Sequence, residues 1–274
     1  MNPQINQETF ITTITTWYKN NRRSFSWREH ITPYHVVVSE IMLQQTQTER
    51  VAQKFPSFIA AFPDFTTLAN ASFADVLREW KGLGYNRRAQ ALCKIATHVV
   101  NDFDGQLPND PEILKTLPGI GPATASSIVA FAFNKPTCFI ETNIRTVFIH
   151  FFFKNEHKVT DKQIMPLIQA TIDNKHPREW YYALMDYGVM LKKEIGNLNK
   201  QSAHYTKQSK FIGSNRQIRG KILQILLDQP GASLHTILTE LQEEPSRVTR
   251  ILITLEKEHF IKNHHDGWWL NSKS

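Results

Sequence analysis

Apolar side chains recur at intervals of three and four residues along most of the chain. Phe10, Ile14 and Trp17 show this spacing near the N-terminus, and Val76 and Trp80 show it further along. Such intervals place the apolar residues on one face of an α-helix. The pattern therefore predicts a mostly α-helical protein.

A glycine-rich turn stands between two of the predicted helices. Asp110, followed by a proline, is the expected N-cap of a short helix that leads into residues 117–125. Gly119 and Gly121 can adopt backbone conformations closed to other residues, and Pro122 suits the first position of a second helix. The amides of such a turn can bind a phosphate, although an ordinary tight turn between helices has the same pattern.

The pattern changes after Gly213. We expect helices near 218–226, 234–241 and 248–255, followed by short strands near 260–262 and 268–270. Three helices and a hairpin predict a winged-helix-like domain over residues 213–274. Arg247 and Arg250 begin its third helix and are suited to phosphate or groove contact, while a protein-binding or purely stabilising role is the alternative.

Charge and cysteine usage limit the possible partners and cofactors. The formal net charge is +7, and residues 192–221 contain eight Lys or Arg against one acid, which favours a polyanionic partner over a merely solvated linker. Cys93 and Cys138 are too few for a disulfide framework or a four-thiolate metal site. His264 and His265 lack a third ligand and are expected to be exposed turn residues.

No segment has the length of a membrane span, and the first residues lack the apolar core of a signal peptide. We therefore expect a soluble cytoplasmic protein, associated with the nucleoid if the source is bacterial.

Glu40 stands in an otherwise apolar helical segment. On a helix it shares a face with Val37 and Leu43. Desolvation raises the pKa of a carboxyl group, and this suits a general acid that works near neutral pH. The alternative is a surface ion pair of Glu40 with Arg28 or Arg50.

Two polar segments are suited to DNA contact. Residues 44–47 form a Gln-Gln-Thr-Gln block next to the apolar helix, and amides of this kind can fill a gap in a base stack. Residues 82–88 place a leucine and a tyrosine beside two arginines, which fits stacking combined with phosphate contact.

These segments together resemble a known family. Residues 39–46 (Ser-Glu-Ile-Met-Leu-Gln-Gln-Thr), 82–85 (Gly-Leu-Gly-Tyr) and 117–121 (Leu-Pro-Gly-Ile-Gly) are similar to the helix-hairpin-helix DNA glycosylases, and specifically to adenine glycosylases of the MutY type. The resemblance covers residues 8 to 210. It implies a two-lobed, mostly α fold.

The resemblance also implies roles for individual residues. Glu40 would protonate the purine leaving group at N7, and Glu141, with Asn143 nearby, would stabilise the oxocarbenium ion. Arg28 and Tyr182 would line the base pocket. The residues that we expect to contact DNA are Gln44, Gln45, Thr46, Leu83, Tyr85, Arg87, Arg88, Gly119, Gly121, Ala123, Arg145, Lys207, Lys210, Arg247 and Arg250.

The chain departs from the family pattern at several points. Glu141 replaces an aspartate, Tyr182 replaces a glutamate near the adenine, and Ala123 replaces the lysine nucleophile of bifunctional relatives such as endonuclease III. Four cysteines that hold an iron–sulfur cluster are replaced by Lys192, Asn199, Ser202 and Gln208. We expect the winged-helix-like segment to take the place of the family's 8-oxoguanine-recognising domain. We therefore expect no metal, no iron–sulfur cluster and no strong lyase activity.

Residues 1–212 are predicted to form the glycosylase domain, with a six-helix lobe near 30–115 and a second lobe from the N-terminal helix and 116–212. The expected function is removal of a mispaired purine, specifically adenine opposite guanine or 8-oxoguanine, from double-stranded DNA by a monomeric enzyme. The alternatives are a glycosylase for thymine opposite guanine or for a deaminated base, and a non-catalytic DNA-binding regulator.

Overall fold

The structure is a computed structural model that describes residues 6–207, 210–265 and 267–272. The expectation of a mostly helical protein is confirmed. Gln208, one of the positions at which the family carries a cluster cysteine, lies outside the described residues, as do the first residues of the chain. The chain divides into two compact units.

The first unit contains residues 1–40, 108–116 and 120–207. Its helices, numbered in chain order through the whole protein, are α1 (Gln7–Asn21), α2 (Ser26–Glu29), α3 (Pro33–Leu43, continuing into the second unit), α8 (Pro111–Leu114), α9 (Pro122–Phe133), α10 (Thr142–Phe152), α11 (Asp161–Thr171) and α12 (Pro177–Glu194), followed by a 3₁₀ turn (Leu198–Gln201).

An aromatic cluster forms part of the core of the first unit. The ring of Phe10 on α1 lies 5.3 Å from that of Phe148 on α10 and 5.9 Å from that of Trp180 on α12, measured between centroids. All three side chains are buried. Burial of such large apolar surfaces holds the three helices together.

The second unit contains residues 41–107, 117–119 and 208–274. Its elements are α4 (Thr48–Ala61), α5 (Phe65–Asn70), α6 (Phe73–Trp80), α7 (Arg87–Asp102), α13 (Asn215–Asp228), α14 (Leu234–Leu241), α15 (Pro245–Lys257), β1 (Ala232–Ser233), β2 (Ile261–His264) and β3 (Gly267–Leu270). The strands form one antiparallel sheet in the order β1-β3-β2, with Ala232 opposite Trp268 and Lys262 opposite Trp269.

The C-terminal helices and hairpin form where the pattern places them. The second C-terminal helix has the bounds expected for it, and the hairpin is present. Strand β1 was missed, because two residues carry no recognisable alternation. Assignment of this segment as a winged helix stays a prediction.

The C-terminal segment shares a compact unit with residues 41–107, although the sequence suggested a domain of its own. Phe260 contacts the ring of Phe73 at 5.6 Å. Glu258 pairs with both Arg87 and Arg219. These contacts join the two segments more extensively than a linker would.

The helix-turn-helix around Gly119 has the expected local form. Asp110 caps α8 by accepting a hydrogen bond from the Glu112 amide at 2.8 Å. Gly119 has φ +78°, and α9 starts at Pro122 with Gly121 as its N-cap. A Cβ atom at position 119 would lie 2.8 Å from the Cβ of Ala91, so this turn requires glycine for both conformation and space.

Within the described ranges, no helix combines the length and the apolar character that a membrane crossing requires.

Candidate active site

Glu40 lies on α3 with a single side-chain hydrogen bond from another element. The hydroxyl of Ser127 on α9 donates to Glu40 Oε2 at 2.5 Å. Val37 and Val38 on the same helix are fully buried, and Glu40 itself is only partly accessible. Among the described residues Glu40 has no ion pair, so the alternative of a surface pair with Arg28 or Arg50 is wrong.

Burial raises the pKa of Glu40 to about 7. The Ser127 hydrogen bond lowers that pKa, the nearby Glu141 carboxyl raises it, and Arg28 lowers it. Desolvation is the largest of these effects. A carboxyl group with a pKa near neutrality holds a proton that it can transfer to a leaving group.

Glu141 is held as the N-cap of α10. Its Oε1 accepts hydrogen bonds from the amides of Asn143 and Ile144, both at 2.8 Å, and its Oε2 accepts one from Asn143 Nδ2 at 3.2 Å. Burial raises the pKa of Glu141, while the two amides, Arg145 and Arg23 lower it. Asn143 therefore helps to hold the Glu141 carboxyl group in place through two hydrogen bonds.

Close helix packing fixes the first turn of α10. A Cβ atom at Gly188 on α12 would lie only 2.4 Å from the carbonyl oxygen of Asn143. Any larger residue at 188 would displace the turn that carries Glu141 and Asn143. The position of Glu141 thus depends on helix α12 as well as on its own cap.

Arg28 is buried against Tyr182 and Asp186. Its Nη1 donates to both carboxylate oxygens of Asp186, at 3.0 and 3.1 Å, and its guanidinium carbon lies 4.2 Å from the Tyr182 ring centroid. Arg23 also donates to Asp186, through its amide and its Nε. Arg28 Nε is buried with no hydrogen-bond partner among the described residues.

The structure places Tyr181 and Tyr182 of α12 in the core. Tyr182 is 8 % exposed and stacks on Phe131 at 4.8 Å, and burial raises its pKa. Tyr181 is fully buried and donates its hydroxyl proton to the Thr137 carbonyl. Core packing therefore accounts for both rings, since Phe131 and the Arg28 guanidinium already lie against the ring of Tyr182.

Asp186 was not predicted from the sequence. It is 1 % exposed and anchors Arg23 and Arg28 through ion pairs. The available signal was an acid inside the apolar stretch of α12, the same signal that drew attention to Glu40. No short motif marks it.

Arg88, expected to contact DNA, is instead a buried positioning residue in the second unit. Its Nη1 donates to the carbonyls of Ile41, Met42 and Gln44, and its Nη2 donates to Thr46 Oγ1 and to the carbonyls of Leu83 and Gly84, all between 2.6 and 3.1 Å. Burial lowers its pKa to about 10, so it stays charged at neutral pH. Both terminal nitrogens of Arg88 are thus engaged in holding residues 41–46 and 83–84, while its buried Nε has no hydrogen-bond partner among the described residues.

Arg88 joins two loops, at residues 44–47 and 82–86, and these loops present different side chains. Gln45 is exposed with φ +56°, and Tyr85 is half-buried with φ +48°. Leu83 is 3 % exposed, so its expected contact with DNA does not fit this structure. Left-handed backbone at a residue other than glycine is sparsely populated and concentrates at functional sites.

The remaining predicted DNA contacts differ in availability. Gly119, Gly121 and Ala123 are exposed, as are Lys207, Lys210 and Arg250. Gln44 donates to the Gly119 carbonyl at 3.2 Å. Arg145 is paired with Asp161 at 2.7 Å and is mostly buried, which opposes a direct phosphate contact, and Arg87 and Arg247 pair with Glu258 and Glu243.

The positions of the family's cluster cysteines do not fit a cluster. Asn199 is buried and donates to the Thr142 carbonyl at 3.0 Å and to Thr146 Oγ1 at 2.6 Å. Ser202 pairs with Val159 in an isolated bridge. Amide and hydroxyl groups cannot replace thiolates as iron ligands, and within the described part of the chain no three His, Cys, Asp or Glu residues are grouped for metal binding.

Comparisons with known proteins agree with the resemblance. Residues 38–171 match the model of the HhH-GPD superfamily of base excision DNA repair proteins. The chain is 36% identical over 185 residues to an adenine DNA glycosylase of Buchnera aphidicola subsp. Baizongia pistaciae, which is 66% of this chain and 52% of that protein. It is 28% identical over 273 residues to an adenine DNA glycosylase of Mycolicibacterium smegmatis, which is 93% of both chains.

A solved structure of a thermostable thymine-DNA glycosylase has the same fold. It superposes with a TM-score of 0.59 at 24% identity, over 67% of this chain and 86% of that one. The present chain spans about half the length of the Buchnera relative. Glu40, Ser127 and Glu141 all fall within the segment that matches the superfamily model.

Proposed function

The chain carries an HhH-GPD superfamily domain of base excision DNA repair proteins at residues 38–171, and from this premise we propose that it is a monofunctional DNA glycosylase that removes adenine mispaired with guanine or 8-oxoguanine. The observation that carries the proposal is the buried Glu40 carboxyl with a pKa of about 7. An adenine leaving group must be protonated, and Glu40 can supply that proton.

The reaction begins with a flipped adenine, because the base cannot be protonated by a buried carboxyl while it remains in the stack. Glu40 gives its proton to N7. The C1′–N9 bond breaks, the base takes the bonding electrons, and positive charge develops on the sugar. The Glu141 carboxylate, fixed by its cap bonds, stabilises this charge until water adds to C1′. The proton that the water loses on addition restores the acid form of Glu40.

The proposed enzyme leaves the abasic strand intact. Ala123 occupies the place where bifunctional relatives carry a lysine nucleophile, so no Schiff base forms there. Borohydride should accordingly trap no enzyme–DNA adduct at a catalytic rate. A robust trapped species would assign a lyase role to another lysine.

We also propose that the enzyme works without an iron–sulfur cluster. The hydrogen bonds of Asn199 to Thr142 and Thr146 tie residues 197–203 to α10 without metal. The purified protein should be colourless and contain no stoichiometric iron by elemental analysis. Stoichiometric iron in folded protein would contradict this.

The proposed substrate is double-stranded DNA bound by a monomer. The exposed hairpin amides near Gly119 and Gly121 are suited to a phosphate, and the exposed Gln45 is suited to fill the space of a flipped base. As a repair enzyme the protein would act in the cytoplasm, at the nucleoid in a bacterium.

A panel of end-labelled duplexes tests the function. Each contains one mismatch, among them adenine opposite guanine, 8-oxoguanine, cytosine or thymine, and thymine, uracil or hypoxanthine opposite guanine. After incubation, alkali cuts abasic sites and a gel shows which strand was processed. Cleavage confined to adenine strands supports the proposal, whereas cleavage confined to thymine or deaminated bases would establish the alternative target. Binding without cleavage would establish the non-catalytic regulator.

A further inference from the structure

The C-terminal segment of the second unit supplies a group that holds Tyr85. The guanidinium carbon of Arg216 lies 4.7 Å from the Tyr85 ring centroid, and Arg216 Nη1 donates a hydrogen bond to the Tyr85 hydroxyl. Arg88 approaches the same ring at 5.5 Å. Cation–π contacts and the hydroxyl bond together favour one orientation of the ring despite its left-handed backbone.

Arg216 also contacts a second aromatic ring. Its guanidinium carbon lies 5.5 Å from the centroid of Phe211. Tyr85, Arg216 and Phe211 therefore form a connected series of aromatic and cationic side chains, which we call the Tyr85–Phe211 series. Tyr85 belongs to the loop of residues 82–85, Phe211 precedes α13, and Arg216 lies in the first turn of α13.

The end of the series formed by Phe211 is open to solvent. Phe211 is 52 % exposed and the next residue, Ile212, is 85 % exposed. Two adjacent large apolar side chains at a surface form a local patch suited to covering by a partner. The series thus pairs an exposed ring with a fixed cationic neighbour, the arrangement used for stacking on nucleobases.

The surrounding charge indicates the chemistry of the partner. The chain contains no acidic residue between Glu194 and Asp228. Lys210 and Lys221 flank Phe211 and Arg216 in the sequence, and both lysines are exposed. Such a surface attracts a polyanion and repels cationic partners. DNA satisfies both requirements, since its bases stack on aromatic rings and its phosphates attract lysines.

We propose that Phe211 stacks on an unpaired DNA base, the one orphaned when its partner is flipped out, and that Arg216 positions Phe211 and Tyr85 for this contact. The C-terminal segment thereby takes part in recognising the lesion. This inference rests on the proposed function, because only a base-flipping enzyme creates an orphaned base in a duplex.

The test uses the full-length protein and a duplex that imitates the flipped state. The duplex carries 2-aminopurine opposite a tetrahydrofuran abasic analogue, so an unpaired purine is present and no excision is needed. A fully paired duplex, with 2-aminopurine opposite thymine, is the reference. Affinity is measured at several salt concentrations, and the emission of 2-aminopurine reports stacking.

Replacement of Phe211 by Leu should lower affinity for the abasic duplex at least about fivefold, because stacking on one aromatic ring contributes at least this factor. Affinity for the paired duplex and the salt dependence should stay unchanged. Phe211→Trp should bind as tightly as the wild type or more tightly, and Ile212→Ala, which removes apolar surface without a ring, should bind like the wild type. In the Phe211→Leu complex 2-aminopurine should be less quenched.

Lys210→Gln separates phosphate contact from stacking, because it should lower the slope of log affinity against log salt by about one. Arg216→Met should reproduce the loss seen with Phe211→Leu, whereas Lys257→Met, which removes an exposed cation from α15 of the same unit, should not.

Unchanged affinity in both Phe211→Leu and Arg216→Met would overturn the inference and leave the patch to a protein partner. An equal loss for both duplexes would also overturn it, since that outcome describes a general duplex contact. If Phe211→Leu does not fold, Phe211→Trp replaces it in the test, and reduced affinity of Phe211→Trp for the abasic duplex would overturn the inference. None of these outcomes depends on excision, so a protein that excises no adenine refutes the proposed function separately.

Discussion

Glu40 and Glu141 are the same residue type in the same unit, yet their surroundings differ in what they offer a carboxyl group. Glu40 lies within a helix and has one neutral hydroxyl partner, Ser127. Glu141 lies at the start of a helix and has two backbone amides and one side-chain amide. Burial raises the pKa of both groups.

The difference lies in the groups that oppose the effect of burial. Three amide donors and the amino end of α10 favour a negative charge at Glu141. A single hydroxyl offsets desolvation much less, so Glu40 retains its proton to a pH of about 7. The proposed roles of Glu40 as acid and of Glu141 as charge stabiliser rest on this difference in the local hydrogen-bond donors.

The largest expected effect is that of Glu40→Gln, which keeps the shape of the side chain and removes the transferable proton. The single-turnover rate of adenine excision should fall by about 10²- to 10⁴-fold while duplex affinity is unchanged. Glu156→Gln, at an exposed position of the same unit, is the matched control. A wild-type rate in Glu40→Gln would make Glu40 a structural residue.

Glu141→Gln tests the other half of the comparison. A glutamine can still accept cap hydrogen bonds through its oxygen but carries no charge, so the chemical step should slow about a hundredfold with little loss of folding stability. Single-turnover kinetics and thermal melts separate the two effects. A slow variant that is also strongly destabilised would show that Glu141 acts chiefly as a cap.

The pH dependence follows from the pKa of Glu40. Its protonated form is active, so kcat/KM should fall as pH rises through about 7, by about tenfold for each further pH unit. Rates measured from pH 5.5 to 9 on one mismatch substrate would locate this limb. A rate that stays level to pH 9 would contradict a general acid with this pKa.

Ser127→Ala should have a smaller effect, which is a shift in the pKa of Glu40. The Ser127 hydroxyl lowers the pKa of Glu40, so its removal should raise that pKa and move the falling limb of the pH profile upward. Ser126→Ala, at the adjacent position, should leave the limb in place. A downward shift would mean that the hydroxyl hydrogen-bonds to the protonated carboxyl rather than to the carboxylate.

Glu141→Asp should have the smallest effect. Aspartate is among the strongest N-cap residues, and its shorter side chain reaches amides two and three residues on. Excision within about threefold of the wild-type rate is expected if the carboxylate occupies an equivalent place. A loss as large as that of Glu141→Gln would show that the extra methylene is required for the position of the charge.

Local features of the fold and site were accessible from the sequence. The cap at Asp110, the helix starting at Pro122 and the C-terminal helix Leu234–Leu241 appear where pattern and capping place them. An acid among apolar neighbours identified Glu40 as a desolvated carboxyl. Each inference depends on residues a few positions apart, whose relation the geometry of one helix determines.

Only the tertiary structure shows which side chains form hydrogen bonds and ion pairs with these residues. Ser127 is 87 positions from Glu40, and Asp186 is 158 positions from Arg28. Arg88 sits in a motif typical of DNA contact, yet carbonyls of two loops surround it. The sequence by itself determined the helices, the turn and the acid that stands among apolar neighbours. Only the packing of distant segments decided which charged groups are buried, because desolvation depends on every neighbour that excludes water.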